Sequence, residues 1–463
     1  MSKQNAAGAA PQENKMGVLP VGKLLAGMAV PMMISMLVQA LYNIVDSVFV
    51  SRLSENAFNA VGLAFPLQSL MIAVGAGTAV GINALLSRSL GEKKQEMADR
   101  AAGAGIFLLP ICSYLVFAFI GLFLSRPFFV AQAKAVPEIV EYGVQYTRIC
   151  LGLSVGIFSQ FCFERLLQST GRTVHTMITQ SIGAIINIIL DPILIHGWFG
   201  LPAMGIAGAA IATVIGQWVS GIMVIIFNLK FNPEVQLHKK YLPLEGKTVA
   251  AILTVGIPSI VMNGIGSVMN FGINQILQGF AETATGVFGV YFKLQSFFFM
   301  PLFGLNNATI SIIAYNYGAR KPQRITKTLK ISCTAALCLM TAGLLVFQFF
   351  PDLLLGLFNP SQAFLEIGRV ALRTISWSFP IAAICIALGA SFQALGNGIY
   401  STIVSLCRQL VVLLPVAYLL SLTGEVQRVW LAFPIAEIVS GTVTFICFTR
   451  IYRQKIKPLF EQA

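Results

Sequence analysis

The chain has 463 residues, of which 56% are hydrophobic and only 11% are charged, and its mean hydropathy is +0.78. Soluble globular proteins carry about 25% charged residues, so this composition excludes an ordinary soluble domain and predicts a chain that lies in lipid. The formal net charge of +13 does not indicate a nucleic-acid partner, because the Lys and Arg residues lie in short clusters between apolar stretches.

Residues 1–22 are small and polar, and we expect them to be disordered. The apolar stretch that follows, from Leu24 to Phe49, is too long for a signal peptide. The eight cysteines and three histidines are dispersed and form no CxxC pair, so the sequence predicts neither a disulfide framework nor a metal site. No GxxxxGK[ST] phosphate loop is present, which argues against ATP-driven transport, and we expect no cofactor.

Hydropathy, with Gly, Pro and charged residues as boundaries, predicts about twelve membrane-spanning helices, each with at least the ~20 residues that a crossing requires. In the first half of the chain they are expected near 24–51, 57–90, 100–124, 138–168, 172–196 and 205–229. In the second half they are expected near 248–279, 285–316, 327–350, 365–394, 398–421 and 428–452.

The second half of the chain repeats the first. At an offset of about 227 residues, Pro31 matches Pro258 and the run Leu67-Gln68-Ser69 matches Leu294-Gln295-Ser296. Further along, Gln168 and Gln393 each begin a Gln-x-x-Gly pattern. The copies differ in their acids, because Asp46, Glu164 and Asp191 match Ile273, Gly389 and Val416. A doubled membrane scaffold with carboxylates in one half is typical of coupled secondary transporters.

The distribution of bases predicts the orientation of the chain. Most Lys and Arg residues lie in loops on the side of the two termini, whereas the opposite loops carry only Arg52, Arg126, Lys134 and Arg428. The positive-inside rule therefore places both termini in the cytoplasm of a bacterial-type plasma membrane. Six spans per repeat make the two repeats parallel. We expect an N-lobe over 23–229, a cytoplasmic linker over 230–247, a C-lobe over 248–452 and a cytoplasmic tail over 453–463.

The first predicted helix carries a polar stripe. Gln39, Asn43 and Asp46 are spaced by four and three residues, which places them on one helical face, and Ser35 extends that face. An ionised Asp at mid-bilayer costs about 2.5–3.5 kcal/mol, so Asp46 is expected to face a wet cavity or to keep its proton. The alternative is a structural hydrogen bond to a neighbouring helix.

The fifth predicted helix contains the segment Asn187-Ile-Ile-Leu-Asp191-Pro-Ile-Leu-Ile, and Gln180 lies on the face shared by Asn187 and Asp191. Pro192 removes a backbone donor and frees a carbonyl near the Asp191 carboxylate, which favours a cation or proton site. The alternative is that Asp191 lies near the outer end of its span and is partly solvated.

Glu164 lies near the inner end of the fourth predicted helix. The adjacent Arg165 points about 100° away around the helix and is not expected to pair with it directly. Glu164 could therefore bind a substrate, extend to the membrane surface or form a different salt bridge. In the second half, Lys293 could sense cation occupancy or neutralise Glu437 or Glu366. The other ionisable residues predicted within the second-half spans are Arg369, Arg373 and Arg408.

With these features the chain resembles the MATE (multidrug and toxic compound extrusion) family, closest to its MepA-like branch. The resemblance rests on the two lobes of six spans, on Asp46 after a Pro-containing first helix, on the segment 187–195 and on the two Gln-x-x-Gly patterns. It covers 24–452. It implies an all-α integral membrane protein with about twelve transmembrane helices in two parallel six-helix lobes around a central cleft.

The resemblance also implies a function. A MATE protein exports cationic lipophilic drugs and dyes in exchange for H⁺ or Na⁺ by alternating access, and it is a transporter rather than an enzyme. We expect ion coupling at four residues, Asp46, Asp191, Asn43 and Asn187, and substrate binding at four others, Glu164, Gln39, Gln180 and Met36. The NorM-like branch has an acid on the seventh helix, whereas that helix here contains Ile273, Asn270 and Asn274, which favours the N-lobe and protons. A monomer is the default expectation.

Three alternatives remain open at this point. A flippase for lipid-linked oligosaccharides would need bases in the cleft to bind a pyrophosphate, which Lys293, Arg369, Arg373 and Arg408 could supply, although the N-lobe acids argue against it. An intramembrane enzyme would need paired catalytic acids, a Ser–Lys pair or an HExxH motif, and none is present. A sensor or channel could keep the fold without coupling transport to an ion gradient.

Overall fold

A computed structural model describes residues 14–51, 53–132, 136–237, 245–280, 282–358 and 361–462, and within these ranges the chain is helical with short connections and has no strand. Within the described residues, ten helices are long and apolar enough to cross a membrane. Two further helix pairs, bent by 41° and 45°, bring the number of spans to twelve when each pair is counted as one. The prediction of an all-α membrane protein is confirmed.

We number the spans α1 to α12. In the first half they are α1 Val21–Ser51, α2 Glu55–Gly91, α3 Gln95–Gln132, α4 Pro137–Gly152 with Val155–Ser169, α5 Thr173–His196 and α6 Ile206–Phe231. In the second half they are α7 Gly246–Gln278, α8 Glu282–Gly318, α9 Pro322–Phe349, α10 Gln362–Ser376 with Phe379–Ala394, α11 Gly398–Ser421 and α12 Val426–Glu461.

The sequence places every span correctly but misses the bends in α4 and α10, which it predicts as continuous helices. Each bend has a serine whose hydroxyl donates to the carbonyl oxygen three residues earlier. Ser154 bonds to Leu151 at 2.7 Å, and Ser378 bonds to Ile375 at 2.7 Å. In α10, Pro380 also lacks an N–H for the first turn after the bend. Serine bonds of this kind compete with the helical ladder and bend helices.

The predicted lobe boundaries remain a prediction, but two details of the chain's organisation differ from it. Disorder over residues 1–22 is wrong for 14–22, because Lys15–Val18 form a short N-terminal helix and α1 begins at Val21. Residues 1–13 lie outside the described part of the chain, as do residues 238–244 of the predicted linker.

The two halves of the chain pack closely against each other at glycines that occupy matching positions in the sequence repeat. In α2, a Cβ added to Gly77 would lie 2.5 Å from the backbone nitrogen of Ile260 in α7. In α8, a Cβ added to Gly304 would lie 2.7 Å from the backbone nitrogen of Met33 in α1. At the repeat offset of 227 residues, Gly304 matches Gly77 and Ile260 matches Met33. The repeat therefore appears in the structure as two matching backbone contacts between the halves.

Backbone contacts between the halves extend to the side that carries both termini. A Cβ added to Gly91 at the end of α2, or to Gly318 at the end of α8, would also strike backbone of the other half. By contrast, a Cβ added to Gly62 or Gly289, toward the other ends of α2 and α8, would meet no atom within 4 Å. The close approach of α2 and α8 to the other half is therefore strongest toward the side of the termini.

The N-terminal segment Asn14–Leu19 joins the two halves on the same side. Asn14 donates to the Glu234 carboxylate, which belongs to the first half and also binds Arg172 at 3.2 Å. Three side chains of the second half bind backbone carbonyls of the same segment: Asn316 at Met16 (3.2 Å), Lys321 at Gly17 (3.0 Å), and Arg324 at Met16 (3.0 Å) and Leu19 (2.7 Å). Met16 itself is fully buried.

Replacing Arg324 with alanine is expected to loosen this segment, because it removes two charge-assisted hydrogen bonds of about 1.5–3 kcal/mol each. Tryptic cleavage after Lys15 in the purified protein should accelerate about tenfold or more. Lys327→Ala removes an exposed positive charge from the same helix and provides the control. Equal cleavage rates in the two variants would contradict the assigned role of Arg324.

Candidate functional site

A cavity of about 90 Å³ lies within the first half of the chain, between α1, α4, α5 and α6. Five of the eight residues that the sequence predicts as site residues line it together, namely Met36, Gln39, Glu164, Gln180 and Asn187. Drug-sized ligands occupy sites of about 300–1,000 Å³, so the cavity in this conformation has room for an ion or a few water molecules. A larger ligand would require the four helices to repack.

Glu164 is the buried acid of this cavity, with 3% of its surface exposed. Its two carboxylate oxygens accept hydrogen bonds from the side-chain amides of Gln160, at 2.9 Å, and Gln180, at 2.6 Å. The second bond connects α4 to α5. The alternative that Glu164 extends to the membrane surface is wrong, because burial and the two amide donors hold the carboxylate inside the cavity.

Arg165 also lines the cavity, although it is not among the site residues predicted from the sequence. It is 6% exposed, and its Nη1 donates to Oε1 of Gln168 at 2.7 Å, so it does not pair directly with Glu164, as the helical spacing predicts. Gln168 lines the same cavity. The spacing of three residues between Arg165 and Gln168 was a signal that sequence reasoning could have used.

Asp191 and Asn187 form a buried pair on α5, with 0% and 3% of their surfaces exposed. The Asn187 amide donates to Oδ1 of Asp191 at 3.4 Å and to Oγ1 of Thr213 in α6 at 3.3 Å. The alternative that Asp191 is partly solvated near the end of its span is therefore wrong. Asp191 does not line the cavity itself but follows Asn187, which does, by one helical turn.

Asp46 of α1 is partly buried. Tyr42, one turn earlier on α1, lines the cavity. Sequence reasoning missed Tyr42, although its spacing of four residues from Asp46 was visible. The structure does not bring Asn43 into the cavity: it is exposed, so Gln39, Asn43 and Asp46 do not share one environment.

Buried oxygen atoms near this cavity lack hydrogen-bond donors among the described residues. They are Oδ1 of Asp46, Oδ2 of Asp191, Oδ1 of Asn187 and Oε1 of Gln180. Every one is an acceptor, and two belong to carboxylates. Buried polar atoms without partners are rare in folded proteins, and a proton or a small cation would satisfy several of these at once.

The ionisable residues of the second half are arranged differently. Arg408 of α11 and Glu437 of α12 form an ion pair at 3.3 Å, with 22% and 12% of their side chains exposed. Lys293 is exposed and is not the partner of Glu437. At the Gln-x-x-Gly offset, Arg408 matches Gly183, which lines the cavity of the first half. The second half therefore has a long charged side chain where the first half leaves space.

Three of the four bases that a pyrophosphate site would need already have partners within the protein. They are Arg408 with Glu437, Arg369 with Asp352 at 2.8 Å, and Arg373, which donates to the Gln348 carbonyl at 3.2 Å. These contacts weaken the flippase interpretation, which depended on free bases in the cleft.

The family model named MatE matches the chain twice, over residues 31–193 and 258–419, which together make up well over half of its length. The chain belongs to the MATE transporter family. The two matches begin at Pro31 and Pro258, the residues that define the sequence repeat. Members of the MATE family are transporters, not enzymes, so the intramembrane-enzyme alternative is excluded.

Similar MATE proteins are known from several bacteria. The chain is 26% identical over 436 residues to the probable multidrug resistance protein YoeA of Bacillus subtilis, covering 92% of this chain and 93% of that protein. It is 26% identical to an FAD transporter of Shewanella oneidensis (93% and 95%) and 26% identical to the multidrug export protein MepA of Staphylococcus haemolyticus (95% and 95%).

The MATE fold is also confirmed by a solved structure, described as the outward-facing conformation of a multidrug resistance MATE family transporter of the MOP superfamily. It superposes on this chain with a TM-score of 0.89 at 25% identity, covering 98% of this chain and 99% of that one. The chain is therefore a multi-pass integral membrane protein of the MATE family.

Proposed function

We propose that this protein exports lipophilic organic cations from a bacterial cell in exchange for H⁺ or Na⁺ that moves inward. The observation that carries the proposal is the placement of Asp46 and Asp191, whose unsatisfied carboxylate oxygens lie beside a cavity that contains Glu164. A coupled exporter needs an acid for the driving ion next to a site for the cargo. The multidrug names of YoeA and MepA support the same class of cargo.

In this proposal Asp46 and Asp191 bind the driving ion, with Asn187 fixing the orientation of Asp191 through its amide. Glu164, Gln39, Gln180 and Met36 bind the cargo once the cavity has enlarged. Asn43, which is exposed, has a smaller part than the sequence suggested. A single chain contains all of these residues, so a monomer is the proposed working unit.

Alternating access supplies the mechanism. With both termini in the cytoplasm, the side on which α2 and α8 approach the other half most closely is the inner side, which favours a conformation open to the outside. Binding of the driving ion neutralises Asp46 and Asp191, lets α1 and α5 repack, and weakens the attraction for a cationic cargo. One charge that crosses the membrane potential supplies about 2.3 kcal/mol per 100 mV, enough for roughly a fiftyfold cargo gradient.

The test is efflux of ethidium, a lipophilic cation, from energised cells that express the protein, with and without a protonophore and with Na⁺ present or absent. We expect efflux that stops when one of the two gradients is collapsed, and the gradient that matters identifies the driving ion. No efflux from well-expressed protein, or efflux indifferent to both gradients, would overturn the proposal and favour a channel or a narrow native substrate.

A further inference from the structure

The cavity of the first half contains a base as well as an acid, and the two differ in their hydrogen bonds. Both oxygens of Glu164 accept a side-chain amide. The guanidinium of Arg165 has five N–H donors, and among the described residues its single acceptor is Oε1 of Gln168, bound through Nη1. Its Nε and Nη2 thus have no acceptor in the part of the chain that the structure describes, although only 6% of the residue's surface is exposed.

Because Arg165 lines the cavity, an acceptor on a ligand bound there could reach the unused donors of its guanidinium. The lining of the cavity offers Arg165 no carboxylate of its own, because Glu164 is already held by its two amides. A carboxylate on a bound ligand would match the planar fork of the guanidinium with two parallel hydrogen bonds. An amine or aromatic cation on the same ligand would lie against Glu164.

We propose that the cavity selects amphiphiles that carry a carboxylate beside their cationic group, and that Arg165 is the residue that binds the carboxylate. The inference rests on the proposed export function and deepens it, since it assigns a substrate class to the same site: organic zwitterions in preference to simple monocations. Gln168 positions the guanidinium, and Glu164 with Gln180 receives the cation.

The test compares two dyes that differ only at the group in question, a rhodamine with a free carboxylate and its methyl ester. The first is a zwitterion at neutral pH and the second a monocation. Efflux of each is measured from energised cells, and the ratio of acid to ester is the readout, so that differences in expression or folding cancel. We expect wild type to favour the acid and Arg165→Gln to lower the ratio at least about tenfold, because the variant loses the charge-assisted hydrogen bonds to the carboxylate.

Two further variants separate a binding role from a structural one. Arg165→Lys keeps the charge but loses the fork, so the ratio should fall only in part. Gln168→Glu leaves the guanidinium in place but gives it a carboxylate within the protein, so the ratio should fall as far as in Arg165→Gln. A ratio in Arg165→Gln that stays within twofold of wild type would overturn the inference.

Fluorescence polarisation of the same two dyes with purified protein tests the inference without transport. If wild type exports neither dye but binds the acid more tightly than the ester, and Arg165→Gln abolishes that preference, the export proposal fails and the assignment of Arg165 stands. If the purified wild-type protein binds the acid no more tightly than Arg165→Gln does, the assignment of Arg165 fails whatever the efflux shows.

Discussion

Asp46→Asn is expected to abolish gradient-driven efflux while leaving the protein folded. Asparagine has almost the shape of aspartate and keeps an acceptor at Oδ1, but it cannot take up a proton and binds a cation far less strongly. Because Oδ1 of Asp46 has no donor among the described residues, the exchange breaks no hydrogen bond at that atom. We therefore expect efflux to fall at least about a hundredfold, through loss of coupling rather than loss of structure.

The stability of the variant provides an independent check. An ionised Asp within the bilayer costs about 2.5–3.5 kcal/mol, so removing the charge should leave the melting temperature of the purified protein unchanged or raise it. Asp352→Asn makes the same chemical change at a largely exposed side chain, outside the cavity, and should keep full efflux. Gradient-driven efflux of near wild-type size in Asp46→Asn would remove Asp46 from the coupling site.

Asp191 belongs to the same proposed coupling site. We propose that Asp46 and Asp191 take up the driving ion together rather than as independent sites. The effects of Asp46→Asn and Asp191→Asn on efflux should consequently not add, and the double variant should be about as inactive as either single one.

The sequence predicts the spans well because hydropathy, Gly and Pro are local signals and a bilayer imposes a common length on every helix. It also singles out Glu164, which the structure places in the cavity, because an ionisable group within a span is rare and costly. Local signals do not predict the structure of a segment whose order depends on tertiary contacts. The N-terminal segment has the composition of a disordered tail, yet it is ordered by Asn316, Lys321 and Arg324, which lie about 300 residues away in sequence.

The candidate site shows the same limit at the level of single side chains. Helical spacing places Gln39, Asn43 and Asp46 on one face, but α1 is long and packs against α5 and α8 at different heights, so residues on that face meet different surroundings. The packing of α1 against α5 decides which residues of the two helices meet, and no spacing within either helix reveals it. The sequence predicts that Arg165 does not pair directly with Glu164, yet both residues line the same cavity.

Gly91→Ala combined with Gly318→Ala is expected to force the halves apart on the side that carries the termini. A Cβ at Gly91 would lie 2.0 Å from the carbonyl oxygen of Tyr315, and one at Gly318 would lie 2.2 Å from the carbonyl oxygen of Arg88. Tyr315 matches Arg88 at the repeat offset, so the two clashes are equivalent. Both would push α2 and α8 apart where these helices contact each other. Both obstacles are backbone atoms, which cannot rotate away as a side chain would.

The double variant should lose about 1–3 kcal/mol of stability, the usual cost of overpacking, and its efflux should fall about tenfold because the conformation that is closed on this side becomes less populated. The melting temperature of the purified protein and ethidium efflux from cells measure the two effects. Gly62→Ala combined with Gly289→Ala is the matched control: the two glycines lie on the same two helices at the same repeat offset, and added Cβ atoms there meet no atom within 4 Å. If both double variants behave alike, the close contacts at Gly91 and Gly318 do not hold the halves together, and the N-terminal segment with its bonds to Glu234 and Arg324 must do so instead.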